Sequence, residues 1–451
     1  MAKLALCGGN AVRGHPYPSW PQAGPEEGLY LEKVLASNRW FAGPQGDDPD
    51  ALGTLFGERF AALHGARFAL PVANGSVAIE IALRALGIRP GDEVIVPAYT
   101  FISTATSVLM VGAVPVFADI DPRSYCLDPQ DVGRRISPNT RAIIPVHLGG
   151  HMADMPSILE LAKRHGVAVV EDAAQAIGST LGGKRAGTWG DLGTFSFQSN
   201  KTITAGEGGL LTVDDPALAE KVVALRAFGR FRDGKGVRSS DLTCQHLSSN
   251  YRLSEFQAAV LLGQLERFPD QDARRQANAS YLTEGLQRIP GLTHIRVDDP
   301  SLKHGYYYYL LRYEPEKFGH LDPDRLCQAL NAEGIPFVPG DRKPLYRHPV
   351  FEVQDLAGYL CPHALERYRE AVDLAHPGCP ATEEACECTL ILRHQVLLAE
   401  QGDMDDIVEA MGKIQKNIDE LRARRNNDAN QGIETRQTGA TRGHQGAPPE
   451  G

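Results

Sequence analysis

Short apolar runs alternate with helical stretches through the first part of the chain. The runs lie at 94–98, 114–118, 142–146, 167–170, 193–197 and 209–213. Runs of this length with helices between them are typical of parallel strands that are buried on both faces of a sheet. The pattern predicts a large α/β domain with a mostly parallel sheet over residues 26–265.

The pattern of apolar positions changes after this region. Residues 254–290 predict one long helix, which leads into a smaller α+β domain expected over residues 266–425. Two strand-like runs and a closing helix support that second domain, and they lie at 306–312, 388–392 and 403–424. The Gly- and Pro-rich residues 1–25 predict an extended N-terminal arm. Residues 426–451 have almost no apolar side chains and predict a disordered tail.

Composition narrows the class of protein. The 451 residues include 46 Lys and Arg against 56 Asp and Glu, a net charge of −10. This acidic balance argues against a dedicated nucleic-acid binder. No apolar run approaches the roughly 20 residues that span a bilayer, so no membrane segment is expected. The eight cysteines are scattered and the first apolar run is too short for a signal peptide, which predicts a cytoplasmic protein with reduced thiols.

Two charged residues stand where parallel strands end. Asp172 follows the run at 167–170, and Lys201 follows the run at 193–197, just before a Gly-rich turn. Ligands of open α/β sheets bind at the carboxyl ends of strands. A carboxylate there can pair with a protonated ring nitrogen, and a desolvated lysine can form a Schiff base with an aldehyde. Each residue alone would more often be a helix cap or a solvated loop residue, but the pair predicts a catalytic site.

A candidate phosphate site precedes the helical stretch at 77–86. Gly75 and Ser76 stand at its start, where free backbone amides favour an anion. Ser196 is a further candidate contact. The alternatives are an ordinary helix cap and a buried strand serine. The aromatic residues of the segment 97–101 are candidates to stack on a flat ring, although aromatic side chains at a strand end more often belong to the core.

Five segments resemble those of the DegT/StrS-type sugar aminotransferases in their order and spacing. They are 97–101, 172–175, 196–201, 206–209 and 249–253. The resemblance covers about residues 5–420. It implies an aspartate-aminotransferase-like fold (fold type I) and pyridoxal 5'-phosphate (PLP) as the cofactor. Relatives with histidine in place of the lysine act as dehydratases, so the lysine of this chain favours transamination.

The resemblance implies a role for each candidate residue. Lys201 resembles the Schiff-base lysine, and Asp172 resembles the partner of the pyridinium nitrogen. Phe101 would stack on the ring and Gln175 would lie near the ring hydroxyl. The implied phosphate ligands are Gly75, Ser76 and Ser196. Asn250 resembles a residue that reaches the phosphate of a neighbouring subunit, which implies a homodimer with shared active sites.

The substrates are indicated less directly. The amino donor would be glutamine or glutamate. The arm resembles that of relatives acting on cyclic polyols, with a ketone such as scyllo-inosose as acceptor; nucleotide-linked keto-sugars are the other large group. Tyr17 and Trp20 would wall the entrance or simply anchor the arm. His147 and Tyr346 are further candidates for substrate contact. The alternative for His147 is a structural role at a strand end, and the alternative for Tyr346 is a place in a solvated basic loop.

Other functions remain open from the sequence. A lyase or aromatising enzyme such as a 3-amino-5-hydroxybenzoate synthase would use the same lysine and cofactor. A non-catalytic sensor of PLP or an amino sugar is disfavoured, because the implied cofactor residues are all present. No metal site is expected. The cysteines near His394 lack the paired spacing of zinc ligands and are interpreted as buried thiols.

Overall fold

A computed structural model describes residues 3–43, 48–231, 243–244, 246–371 and 378–422. The tail predicted at 426–451 lies outside the described residues. Thirteen α-helices are present in the described part of the chain. They are α1 (Pro25–Ser37), α2 (Leu52–His64), α3 (Gly75–Ala85), α4 (Ser103–Met110), α5 (Pro129–Arg135), α6 (Met155–His165), α7 (Pro216–Leu225), α8 (Glu255–Leu286), α9 (Pro323–Ala332), α10 (Val353–Leu356), α11 (Pro362–Ala371), α12 (Pro380–Cys388) and α13 (Asp403–Lys416).

A seven-stranded sheet forms the centre of the large domain. In chain order its strands are β1 (Phe68–Val72), β2 (Glu93–Pro97), β3 (Val114–Ala118), β4 (Thr140–Ile143), β5 (Ala168–Asp172), β6 (Leu192–Ser196) and β7 (Gly209–Val213). Their order across the sheet is β1-β7-β6-β5-β4-β2-β3, and β7 alone among them runs antiparallel. The mostly parallel sheet is therefore confirmed. Strand β1 was not predicted, because Pro71 interrupts its apolar run.

A four-stranded antiparallel sheet forms the smaller domain. Its strands are β8 (Leu292–His294), β9 (Tyr308–Tyr313), β10 (Phe337–Pro339) and β11 (Thr389–Arg393), in the order β8-β9-β11-β10. Helices α9 and α13 cover this sheet with a buried apolar core. The α/β class with a second α+β domain is confirmed.

The long helix α8 joins the two parts. Ser254 and Gln257 form a capping box at its start, which explains why the helix begins there. The N-terminal half of α8 packs against α1 and α2, and its later turns contact α13. The predicted boundary between residues 265 and 266 falls within this continuous helix. Residues 345–368 of the predicted small domain also pack into the cores of the large domain.

The N-terminal arm is held against the small domain. Leu4 is buried in the small-domain core. Arg13 is almost fully buried and forms ion pairs of 2.7 Å with both Asp403 and Asp406 of α13. In the part of the chain that the structure describes, none of the helices has the combined length and apolar character needed to cross a bilayer.

Candidate active site

A cavity of about 730 Å³ opens where the carboxyl ends of the parallel strands meet the small domain. The start of α3, the ends of β5 and β6, and strands β9 and β11 all contribute to its lining. Seven of the predicted site residues lie on this cavity: Gly75, Ser76, Phe101, Asp172, Gln175, Ser196 and Lys201. The fold thus brings together residues that are separated by up to 126 positions in the sequence.

The start of α3 forms a cradle suited to an anion. Asn74 caps the helix by accepting a hydrogen bond of 2.9 Å from the Val77 amide. The amides of Gly75 and Ser76, in the first helical turn, have no acceptor within the helix. A Cβ on Gly75 would lie 2.8 Å from the Cβ of Ser196, so only glycine lets β6 approach this closely. The result is a set of amide and hydroxyl donors at a helix N-terminus, where a phosphate is favoured.

Asp172 is held at the end of β5 with a fixed orientation. Its side chain is buried, and its Oδ2 accepts a hydrogen bond of 2.8 Å from the Thr104 hydroxyl. Its Oδ1 accepts a hydrogen bond of 3.1 Å from the Ala174 amide. A carboxylate fixed in this way on a cavity wall can pair with a cationic ring nitrogen.

Lys201 lies in the turn that follows β6. The turn is closed by a hydrogen bond of 2.8 Å from the Lys201 amide to the Gln198 carbonyl. The Lys201 Nζ lies 4.3 Å from the centroid of the Tyr307 ring. Although the side chain borders the cavity, surrounding protein desolvates it and lowers its pKa from 10.5 to about 8, while the charge of Asp172 opposes that shift. A substantial fraction of the amine is therefore neutral and nucleophilic near pH 8.

Phe101 and Gln175 contribute different surfaces to the cavity. Phe101 is 65% exposed, so an aromatic face is available at the opening. Gln175 is buried, and its Oε1 accepts a hydrogen bond of 2.8 Å from the Gly149 amide. This bond fixes the side-chain amide of Gln175 on the cavity wall.

The structure does not bring His147 or Tyr346 to the cavity, which corrects the expectation of substrate contact. His147 is fully buried; its Nε2 lies 2.8 Å from Glu171 Oε2, and its Nδ1 accepts a hydrogen bond from the Ala153 amide. Tyr346 is buried beside Phe117, and its hydroxyl donates to Glu383 at 3.0 Å. Both side chains are occupied by the fold itself.

The aromatic residues of the arm do not line the cavity either. The Tyr17 hydroxyl donates a hydrogen bond of 3.1 Å to the Asp403 carbonyl, so Tyr17 anchors the arm to α13. The Trp20 ring packs edge-on against His394 at 4.5 Å between centroids. His394 in turn lies 3.0 Å from the carbonyl of Asn200, next to the catalytic lysine candidate. Through His394, Trp20 thus packs against the loop that contains Asn200 and Lys201.

Asn250 lies outside the cavity of its own chain. It is exposed, and its Oδ1 accepts a hydrogen bond of 3.3 Å from the Arg252 amide. An outward position is what a residue that serves a neighbouring subunit requires. Its role stays a prediction.

Several side chains on the small-domain side of the cavity were not among the predicted site residues. Tyr307 faces Lys201, and the Tyr308 hydroxyl donates to the Tyr307 hydroxyl at 3.2 Å. Asp341 lines the cavity from the same domain. A signal existed in the run of four tyrosines at 306–309, because side chains alternate between the faces of a strand. Tyr309 points into the small-domain core, so Tyr308 beside it faces the cavity; Tyr307 also lines the cavity but precedes β9, so the alternation does not account for it.

Comparison with known proteins identifies the family. Residues 21–412 match the sequence profile of the DegT/DnrJ/EryC1/StrS aminotransferase family. The chain belongs to this family. It is therefore a PLP-dependent aminotransferase, as the resemblance implied.

Relatives and solved structures span nearly the whole chain. L-glutamine:scyllo-inosose aminotransferase of Streptomyces griseus is 37% identical over 93% of this chain and 99% of that protein. L-glutamine:2-deoxy-scyllo-inosose aminotransferase of Micromonospora echinospora is 35% identical over 94% of this chain and 100% of that protein. The crystal structure of 3-amino-5-hydroxybenzoic acid synthase is 33% identical, with a TM-score of 0.75 over 92% of this chain and all of that one.

The residues of the cavity fit the cofactor of this family. The cradle at Gly75, Ser76 and Ser196 offers donors for the phosphate, and a side chain at Gly75 would close it. Asp172 offers a fixed acceptor for the ring nitrogen, and Lys201 offers an amine of lowered pKa for the aldehyde. All of these groups border one cavity.

Proposed function

We propose that this aminotransferase moves the amino group of glutamine to a keto-cyclitol of the scyllo-inosose type. Two relatives named for glutamine and inosose substrates are 35% and 37% identical over nearly their full length, which supports the proposal. Within this chain, the charge of the cavity lining gives the proposal its strongest support.

Carboxylates outnumber cations on the cavity wall. In the described part of the chain, Lys201 is the only Lys or Arg side chain that lines it. The lining carboxylates are Glu80, Asp172, Glu207 and Asp341, of which Glu80 is paired with Arg84 at 3.0 Å. A nucleotide-linked sugar carries a diphosphate that such a wall would repel, whereas an uncharged polyol ketone and an uncharged side-chain amide fit it. The charge therefore favours a keto-cyclitol over a nucleotide sugar.

The residues divide the chemistry between them. When bound, PLP supplies an electron sink that stabilises negative charge at the amino-bearing carbon of the substrate. Gly75, Ser76 and Ser196 hold its phosphate, and Asp172 keeps the ring nitrogen protonated. Lys201 accepts and returns a proton at the substrate carbon, because its lowered pKa lets the Nζ hold or release a proton near neutral pH.

The active unit in this proposal is a homodimer. Phe101 and Met110 line the cavity and yet are 65% and 67% exposed. A second subunit would cover these apolar side chains and would bring its Asn250 to the phosphate.

All eight cysteines are free, which supports a reducing, cytoplasmic location.

The half-reaction with the donor tests the proposed chemistry. Holoenzyme is mixed with glutamine, and the visible absorption band of lysine-bound PLP is followed while the keto-acid product is quantified. The expected result is loss of the band with one keto acid formed per site. Lys201→Ala should lack this band and should yield no keto acid. A wild-type band that persists at saturating glutamine would contradict the proposal.

A second candidate is a lyase or aromatising reaction. It is favoured by the likeness to the solved 3-amino-5-hydroxybenzoic acid synthase, at 33% identity. The two functions differ in their products. Transamination yields an aminocyclitol and a keto acid, whereas the second reaction yields an aromatic product with ultraviolet absorbance and consumes no glutamine.

Mixed subunits test the shared site. Lys201→Ala and Asn250→Ala proteins are each purified, then combined, dissociated and reassociated. If Asn250 serves the neighbouring subunit, a hybrid dimer contains one site with both defects and one intact site. Activity should therefore rise above that of either parent. Activity that never exceeds the average of the parents would contradict a shared site.

A further inference from the structure

The small-domain wall of the cavity carries a carboxylate that the fold leaves unpaired. Asp341 follows β10, lines the cavity and is exposed to it. Its side chain makes no hydrogen bond or ion pair with any residue that the structure describes. The adjacent Arg342 turns away, with its Nε 3.2 Å from Asp324 and an Nη donating to the Cys386 carbonyl at 2.6 Å. The Asp341 carboxylate is thus a free acceptor that faces the substrate space.

The surroundings of Asp341 strengthen its interactions with a ligand. A Cβ on the adjacent Gly340 would lie 2.5 Å from the Tyr99 hydroxyl, so the tyrosine is packed tightly against this segment. Leu310 and Ile391 add apolar surface to the same cavity. Although Asp341 is open to the cavity, the protein around it desolvates the carboxylate and raises its pKa above the ordinary value. Electrostatic interactions are stronger where water is partly excluded.

We propose that Asp341 makes the enzyme select an amino donor with an uncharged side chain in one half-reaction and an uncharged polyol ketone in the other. This inference rests on the proposed function, because it concerns how that site chooses glutamine and a polyol ketone. In one half-reaction the carboxylate accepts hydrogen bonds from adjacent hydroxyls of the ketone ring. In the other it accepts hydrogen bonds from the side-chain amide of glutamine. Glutamate presents a second carboxylate at that position and is repelled.

In a transamination one cavity receives the amino donor and the ketone in turn. A carboxylate is an acceptor that two adjacent hydroxyls or one NH₂ group can satisfy. Hydrogen bonds to a charged group are about twice as strong as neutral ones. The cavity has no second Lys or Arg, among its described lining residues, that could compensate a glutamate side chain. Asp341 therefore contributes to the selection of both the amino donor and the ketone.

The test compares donors at the level of the half-reaction. Wild type, Asp341→Asn and Asp341→Lys are each loaded with PLP, and the decay of the visible band is measured with glutamine and with glutamate. Asp419→Asn, the same chemical change at an exposed surface position, is the matched control. The quantity of interest is the ratio of kcat/KM for glutamine to kcat/KM for glutamate. The KM for scyllo-inosose is measured in the full reaction.

The expected result is a strong preference of wild type and Asp419→Asn for glutamine. Asp341→Asn should lower the ratio by about tenfold or more and raise the ketone KM, since a charged hydrogen-bond partner is lost. Asp341→Lys should reverse the preference toward glutamate. The band of bound PLP should remain in both variants.

Three results would overturn the inference. The first is an unchanged donor ratio in both variants with PLP bound. The second is loss of the PLP band in both variants, which would give Asp341 a role in holding the cofactor or the fold instead of in selection. The third is a wild-type enzyme that does not react with glutamine, and this result alone would also remove the proposed function. The first two leave the proposed function intact, so the two failures can be told apart.

Discussion

The ionisation of Lys201 in the cofactor-free protein gives a quantitative test of the site. Desolvation lowers its pKa from 10.5 to about 8. At pH 7.5 an ordinary lysine is neutral in about one molecule in a thousand, whereas a pKa of about 8 leaves about a quarter neutral. The amine of Lys201 should therefore react about 200-fold faster at this pH than a lysine of equal nucleophilicity and ordinary pKa.

The assay is trace labelling of the apoprotein with acetic anhydride across pH 6–11. Peptide mass spectrometry measures the acetylation of Lys201, and Nα-acetyl-lysine in the same tube is the reference. Because only the neutral amine reacts, labelling should rise with pH and level off above the pKa. The predicted midpoint lies near pH 8.

A variant separates the two causes of the shift. In Asp172→Asn the charge that raises the pKa of Lys201 is lost, while desolvation remains. The midpoint should therefore move below that of wild type. A wild-type midpoint near 10.5 would refute the desolvation of Lys201. A higher midpoint in Asp172→Asn would refute the electrostatic role of the carboxylate.

Three further predictions concern the cradle, a corrected residue and the arm. Gly75→Ala should weaken PLP binding at least tenfold, because the new Cβ would lie 2.8 Å from the Cβ of Ser196. Gly28→Ala, where the new Cβ meets open space, is the control and should bind PLP like wild type. Spectroscopic titration with PLP measures both affinities. His147→Ala should lower the free energy of unfolding by about 2 kcal/mol in urea titrations and leave the ketone KM unchanged, since it breaks a buried hydrogen-bonded pair. Arg13→Ala should cost about 2–3 kcal/mol in the same titration, because two charge-assisted bonds to α13 are lost; stability equal to wild type would contradict the anchoring of the arm.

Much of the fold follows from local pattern. Short apolar runs between helices predicted six strands of the large sheet to within a few residues, because burial on both faces requires apolar side chains at every position. Strand β1 was not predicted because Pro71 interrupts its apolar run. That strand lies at the edge of the sheet beside β7, where a missing amide donor is tolerated. Helices α9 and α11 were not predicted either.

The candidate site divides into a part that local sequence marks and a part that it does not. Asp172 and Lys201 stand at or shortly after the ends of predicted strands, so their positions at one sheet edge could be predicted, and Gly75 and Ser76 marked the start of α3 although β1 before it was not predicted. Tyr346 and Asp341 belong to the same stretch after β10, and only tertiary packing decides which of them faces the cavity. Residues 345–368 turn back onto the large domain, which buries Tyr346 and leaves Asp341 on the wall. No periodicity in this irregular segment marks that turn.

Tertiary packing also decides the role of His147, which could not be predicted from the sequence. A histidine at a strand end is equally compatible with substrate contact and with a structural role. The choice depends on Glu171, which is one position before Asp172 and therefore points to the opposite face of β5. There Glu171 accepts hydrogen bonds from the amides of Gly187 and Gly190 as well as contacting His147. Only the three-dimensional arrangement brings these groups together.

Transfer of labelled nitrogen tests the central claim most directly. Purified holoenzyme is incubated with scyllo-inosose and glutamine labelled with ¹⁵N at the α-amino group, and the products are analysed by mass spectrometry. The account predicts an aminocyclitol that carries the label, formed in equal amount to the keto acid. Glutamine labelled only at the side-chain amide should give an unlabelled aminocyclitol. Label that never reaches the cyclitol, with enzyme that retains its PLP band, would contradict the account.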